Sequence, residues 1–275
     1  MRMTRSLVAV LVVAGLMARF VPMAVAAEGA RLSPVLDRIQ AKKELVVGTA
    51  ASMPPFNMTT KDGQIVGMEI DLAQLIASSM NVKLTLKTIP FNNLLPALEA
   101  GQVDMVLSSM TITAARNLKF AFVGPYFVSG KSILTKGKNL EGMSEISKIN
   151  NPDHVLTALK GSTSQVFAEK VFPRAKLVLV EDYEQAVAML REDKAQAMVA
   201  DMQTCQLAVH RYPQAELMTL SRPMSYEPLG IAIPPNDFLL INWLQNLLNT
   251  VEKDGSLAMT VDKWFKDGSW VKQLR

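Results

Sequence analysis

The sequence predicts an α/β fold. Apolar runs of strand length alternate with longer segments whose apolar residues recur at the helical period. Glycines, prolines and helix-capping residues separate them. Strand, helix, strand, helix, strand in succession calls for a parallel or mixed sheet covered by helices. The 275 residues suffice for one large domain or two modest ones.

Residues 1–26 are set apart first. Arg2 and Arg5 form a basic start, Leu7 to Met17 is apolar but too short to span a bilayer, and Ala24-Val25-Ala26 fits a small-x-small cleavage site. This reads as a secretory signal peptide, and cleavage after Ala27 fits nearly as well. No Cys follows the site, so a lipid anchor is not indicated. The formal charge of +4 then loses Arg2, Arg5 and Arg19, leaving 26 basic residues against 25 acidic ones. A near-neutral mature chain with no basic stripe gives no reason to expect nucleic acid as a partner.

The mature chain opens on a short helix at 34–43, with Ser33 as a possible cap and Pro34 at its first position. ELVVGT, residues 44–49, is a buried strand, and the loop Ala50 to Phe56 leads to a hairpin turn at Asp62-Gly63. A helix is expected over 69–80, where Leu72, Leu75 and Ile76 share a face and Glu69 and Asp71 occupy the first turn. A strand follows at 82–89, then a helix to Ala100 capped by Asn92 or Asn93.

The stretch from Gly101 to Tyr126 organises the rest. Gly101 stops a helix, Val103 to Leu107 is a short strand, Thr113 caps a short helix and Arg116 sits three residues on. Phe120 to Phe122 reads as a strand and Gly124-Pro125-Tyr126 as a turn. Hydroxyls at a strand end, free N–H groups at a helix start and one arginine together make a carboxylate clamp. By itself Arg116 reads first as an ordinary surface arginine.

A second set follows Gly137: strands at 155–159, 176–180 and 196–200, a helix after Gly161-Ser162-Thr163 with Val166, Phe167 and Val171 as its apolar face, and a helix capped by Asp182 with Ala186, Met189 and Leu190 inward. Asp201 opens a further helix to about Arg211. The chain ends with a strand at 229–233, a helix at 237–251, a break at Asp254-Gly255 and a last helix at 257–266.

The wording of the central stretch closely resembles the signature of the periplasmic amino-acid-binding proteins, solute-binding protein family 3 of ABC importers. The matching pieces are Pro96-Ala97-Leu98, Gly101 to Asp104, Met110 to Thr113 with Arg116, and Phe122 to Tyr126. The likeness extends over about Leu45 to Trp270. It implies a two-lobed type II periplasmic-binding-protein fold, each lobe a mixed sheet flanked by helices, joined by a two-segment hinge. Lobe 1 would comprise 44–131 plus 228–275, and lobe 2 would comprise 132–227.

The resemblance also implies a site. Arg116 and Thr163 would grip one carboxylate from opposite lobes, a reason for the cleft to close. Asp201, which as a lone residue reads as a helix cap, would accept an α-ammonium, with Ser109 and Thr111 supplying further polar contacts. Together these positions imply an α-amino acid zwitterion. The pocket departs from the family pattern. Met53 of Met53-Pro54-Pro55-Phe56 replaces a tyrosine, Phe91 matches an aromatic wall, and Ala50-Ala51 stand where members with basic ligands often carry an acid. The expected ligand is therefore an apolar or small polar amino acid, although Met53 and Phe91 would serve equally as core.

The resemblance implies a receptor that captures an amino acid in the periplasm and delivers it to an inner-membrane ABC permease, as a monomer, with no catalytic residue, cofactor or metal. His154 and His210 have no ligand-spaced neighbours, and Cys205, the one cysteine, reads as a small buried hydrophobe. The rival is a cyclohexadienyl dehydratase-like exported enzyme on the same fold. Such an enzyme adds a carboxylate just beyond the equivalent of Asp201, where this chain has Met202, Gln203 and Thr204. Glu184 or Glu227 placed in the cleft towards Arg116 would favour that rival.

Overall fold

The computed structural model describes residues 33–137 and 146–274; the signal peptide expected at 1–26 lies outside them. In chain order, α1 (Pro34–Lys42) leads into β1 (Glu44–Thr49), followed by a small ribbon of β2 (Ser52–Met53), β3 (Asn57–Thr59) and β4 (Ile65–Val66). Next come α2 (Met68–Ser79), β5 (Lys83–Thr88), α3 (Leu94–Glu99), β6 (Met105–Val106), α4 (Ala114–Asn117), β7 (Ala121–Ser129) and β8 (Lys131–Lys136). Then follow α5 (Ile146–Ile149), β9 (Val155–Leu159), α6 (Thr163–Val171), β10 (Lys176–Val180), α7 (Tyr183–Arg191), β11 (Ala197–Asp201), α8 (Met202–Arg211) and β12 (Leu217–Thr219). The chain ends with β13 (Glu227–Ile233), α9 (Phe238–Lys253) and α10 (Ser256–Phe265).

The strands form two five-stranded mixed sheets, ordered β5-β1-β6-β13-β7 and β10-β9-β11-β8-β12. In each, four strands run the same way and one, β13 or β8, runs against them between its two neighbours. This is a two-lobed α/β fold. The same order in both sheets brings the carboxyl ends of β1 and β6 and those of β9 and β11 to one cleft, where ligands of open α/β sheets bind.

The chain crosses between the sheets twice, from β7 to β8 and from β12 to β13. The crossings touch at Gly130, where a Cβ would lie 2.2 Å from the Ser225 carbonyl oxygen and 2.4 Å from Pro223 Cβ. Only glycine fits between them. Met224 N–H donates to the Lys131 carbonyl at 2.7 Å and ties the two segments together.

Each sheet has its own apolar core. In the first, Phe56 meets Phe127 and Phe265 edge-on, with ring centres 5.1 and 5.3 Å away, and pins the loop after β2 to α10. Aromatic pairs of this kind contribute about 0.5–1.5 kcal/mol beyond their burial. A further cluster is continuous across the cleft, running from Met53, Phe91 and Leu94 to Leu159, Tyr183 and Val187. Among the described residues no helix is long and apolar enough to cross a membrane.

Four local expectations are corrected. Gly124-Pro125-Tyr126 is not a turn. β7 runs through it, and the three residues face a register shift between Leu229 and Ile231 on β13, so a bulge absorbs what the Gly-Pro pair suggested was a reversal. On α6 the buried residues are Ser164 and Ala168, whereas Val166 and Val171 are 62% and 37% exposed, because the helix turns its small face to the sheet. Ser33 does not cap its own helix. Its hydroxyl accepts from Leu239 N–H, and Val35 and Leu36 N–H donate instead to Asp237, a residue some 200 positions away. Neither Asn92 nor Asn93 caps through its side chain, since both belong to a 3-10 turn, Phe91–Asn93, that feeds directly into α3.

Candidate functional site

The site is built on the loops that follow the parallel strands. After β6 the backbone turns at Ser109, which has a φ of +49°. Glu69 holds that turn. It is fully buried on α2 and takes Ser109 N–H at 2.6 Å, Asn57 Nδ2–H at 2.6 Å and the Tyr126 hydroxyl. Burial raises its carboxyl above the usual range, against the pull of these hydrogen bonds. Ser109 Oγ also lies on Glu69, at 3.4 Å. The Ser109 side chain is thus spent within the lobe, leaving its carbonyl as what it could offer a ligand.

Thr111 and Arg116 follow. Thr113 Oγ1 accepts Arg116 N–H at 3.2 Å and caps α4 as the sequence predicts. The cap aims the Arg116 side chain back along the loop. One guanidinium N–H donates to the Thr111 carbonyl at 2.8 Å, and another reaches the Gly161 carbonyl of the second sheet at 3.3 Å. The guanidinium lies 5.9 Å from the centre of the Phe91 ring, within cation–π range. Burial lowers its pKa to about 10, opposed by Glu227 and Asp201, so it stays cationic at neutral pH.

From the second sheet, Ser162 caps α6 through Ser164 and Gln165 N–H. That leaves the hydroxyl of Thr163, the first helical residue, outside the cap, and its Oγ1 shares a 3.2 Å hydrogen bond with Thr111 Oγ1 across the cleft. Gly161 packs against Asn92 so closely that a Cβ would lie 2.9 Å from Asn92 Cβ, and its φ of +73° is one that glycine adopts without strain.

Asp201 occupies the cap position of α8 but makes no capping hydrogen bond. Its Oδ1 lies 2.5 Å from Lys131 Nζ. Glu227 Oε2 stands 3.5 Å from the same ammonium and accepts from Thr163 Oγ1 at 3.0 Å. Ser225 Oγ donates to Glu227 Oε1 at 2.9 Å and accepts Lys131 N–H at 3.0 Å. All three charged side chains are buried, Lys131 at 1% exposure. A continuous polar chain therefore runs from Asp201 through Lys131, Glu227, Thr163 and Thr111 to Arg116.

The structure thus brings Arg116, Thr111, Thr163 and Asp201 to one cleft, with Ser109 one turn behind. Met53 and Phe91 lie in the apolar cluster that crosses between the sheets, Met53 with its Sδ 3.8 Å from Ser108 Oγ. Cys205 is fully buried beside this cluster, and burial pushes its thiol up to about 12. Glu184 pairs instead with Arg211 and Tyr212.

Three residues escaped the sequence reading. Lys131, one of two lysines in KSILTK, has no role assigned from the sequence; its place right after Gly130, at the head of a strand, is the available signal, because a buried ammonium needs an acid facing it. Glu227 was weighed only for the rival reading. Glu69 reads from the sequence as a first-turn acid favoured by the helix dipole, and nothing in its local sequence marks it as buried.

The family model for bacterial extracellular solute-binding proteins, family 3, matches residues 45–267. The ABC transporter arginine-binding protein 1 of Escherichia coli strain K12 is 26% identical, over 82% of this chain and 92% of its own. The cyclohexadienyl dehydratase of Pseudomonas aeruginosa is 23% identical, over 84% and 86%. The crystal structure of an ancestral amino acid-binding protein, a precursor of cyclohexadienyl dehydratase, superposes with a TM-score of 0.77 at 34% identity, covering 84% of this chain and 99% of that one.

Proposed function

This chain belongs to the bacterial extracellular solute-binding proteins of family 3, and from that membership we propose that it is the periplasmic receptor of an amino-acid ABC importer. It captures one α-amino acid between a first lobe of residues 44–131 plus 228–275 and a second of 132–227. It then closes over the ligand and presents the closed form, as a monomer, to an inner-membrane permease. Relatives that include an arginine-binding and a glutamine-binding protein of ABC transporters support a location outside the cytoplasm.

The observation that carries this reading is the position of Arg116, which touches the Thr111 carbonyl of its own lobe and the Gly161 carbonyl of the other. A carboxylate received by this guanidinium, with the hydroxyls of Thr111 and Thr163 beside it, is held from both lobes at once. The cleft also offers two carboxylates, Asp201 and Glu227, of which one receives the α-ammonium. Met53 and Phe91 bound the side chain. Binding of this kind breaks no bond and needs no nucleophile or general base.

A second reading, an enzyme of the cyclohexadienyl dehydratase type, is favoured by Glu227. Its carboxyl group lies in the cleft within the field of Arg116, and an acid facing a bound carboxylate substrate is what general-acid catalysis requires.

A thermal-shift screen against the common amino acids and prephenate separates the two. Ligand at a hundredfold excess over its dissociation constant stabilises by about 2.7 kcal/mol. A rise in melting temperature with one group of amino acids, lost in Arg116→Ala, supports the receptor. Turnover of prephenate without any amino-acid response supports the enzyme.

A further inference from the structure

We propose that Glu227, not Asp201, receives the ligand's α-ammonium, and that the Lys131–Asp201 pair restricts the cleft to amino acids without net positive charge. The inference rests on the receptor reading and assigns its specificity.

Asp201 is committed. Its Oδ1 is 2.5 Å from Lys131 Nζ, and Lys131, from the strand that follows the hinge, is buried. An ammonium already stands where the ligand's own would have to go. Glu227 is the carboxylate left over. It lies farther from Lys131, at 3.5 Å, and its Oε2 faces Thr163, whose hydroxyl faces Thr111, whose carbonyl holds Arg116. An amino acid whose carboxylate meets Arg116 thus has Glu227 two side chains away along the same polar chain.

Formal charge makes the same point. The cleft carries two cations, Arg116 and Lys131, and two carboxylates, Asp201 and Glu227. With Lys131 neutralising Asp201, one cation and one carboxylate remain for the ligand, and a zwitterion of zero net charge matches both. A lysine or arginine ligand would bring one further cation. Glu184 is already paired with Arg211 and Tyr212, and Glu69 is enclosed by Ser109, Asn57 and Tyr126, and burying an unmatched charge is costly.

Calorimetric titration of the wild type, Glu227→Gln and the double variant Lys131→Met/Asp201→Asn tests this, using neutral amino acids together with lysine and arginine. The double variant removes both charges at once and so avoids stranding either in the interior. The wild type is expected to bind a neutral amino acid more tightly than lysine or arginine. Glu227→Gln should weaken that ligand by about a hundredfold, the usual cost of removing one partner of a buried charge pair. The double variant should hold it within about tenfold, since Asp201 makes no contact with it. The reverse pattern, with binding lost in the double variant and kept in Glu227→Gln, overturns the assignment and leaves the receptor reading standing. Preference of the wild type for lysine or arginine overturns the charge restriction alone. No amino-acid binding by folded wild type overturns both readings.

Discussion

Lys131 Nζ lies 2.5 Å from Asp201 Oδ1 at the inner end of the cleft, and the two side chains are 1% and 3% exposed. Such a pair adds little net stability, because the desolvation of both charges offsets their attraction, but losing one partner leaves the other stranded. Lys131→Met should therefore destabilise the fold by about 3–5 kcal/mol. Lys131→Met/Asp201→Asn should recover most of that loss. Urea unfolding of the wild type, the two single variants and the double variant gives the coupling directly. A double variant as unstable as the worse single one would show that the pair is not an isolated unit.

Gly161 leads to a different prediction, because it sits where the lobes meet. Alanine there adopts a φ of +73° at a cost of about 1 kcal/mol and drives its Cβ to 2.9 Å from Asn92 Cβ. The first cost falls on the second lobe alone, and the second arises only while the lobes touch. Gly161→Ala should thus lower the unfolding stability slightly, yet weaken ligand binding and reduce ligand-induced compaction in small-angle scattering. Adding Asn92→Gly removes the opposing Cβ and should restore part of the affinity. Unchanged affinity in Gly161→Ala would show that this contact plays no part in closure.

What the sequence made legible and what it hid follow a physical division. Local devices were readable: β1, β9 and β10 fall on their expected residues, and Thr113 and Asp182 cap the helices expected of them. These depend on backbone periodicity and on hydrogen bonds spanning three residues. Long-range partnerships were not readable. The Asp237 carboxylate caps α1 from the other end of the chain, and Lys131 meets Asp201 across 70 residues. Arg116, Thr111, Thr163 and Asp201 were found through a family pattern, and local physics alone would have made Asp201 a helix cap. The missing capping bond shows how a residue can occupy a cap position while its carboxylate is held elsewhere, here by Lys131.

Cys205 offers a test of burial that needs no ligand. It is fully buried, and desolvation pushes its thiol up to about 12. The thiolate is the reactive species, so at pH 8 only about one part in ten thousand is available, and no reagent reaches it in the folded state. A thiol reagent should read close to zero in native protein and one thiol per chain in denaturant, with native labelling limited by unfolding. Prompt stoichiometric labelling without denaturant would contradict the packing of α8 against β11 and β12.

Glu69 gives the pH dependence. Burial raises its carboxyl above the ordinary 4.5, despite the N–H groups of Ser109 and Asn57 and the Tyr126 hydroxyl. A carboxyl raised on folding binds its proton more tightly in the folded state, so it adds stability below 4.5 that is lost as pH rises through the folded value. Glu69→Gln cannot ionise and lacks this dependence, while the other titrating groups are common to both proteins. The unfolding free energy of the wild type minus that of Glu69→Gln should therefore fall from pH 4.5 towards neutrality and then level off. A difference that rises over that interval would mean that the three hydrogen bonds outweigh burial, and that Glu69 holds the Ser109 turn as a carboxylate whose affinity for protons has dropped on folding.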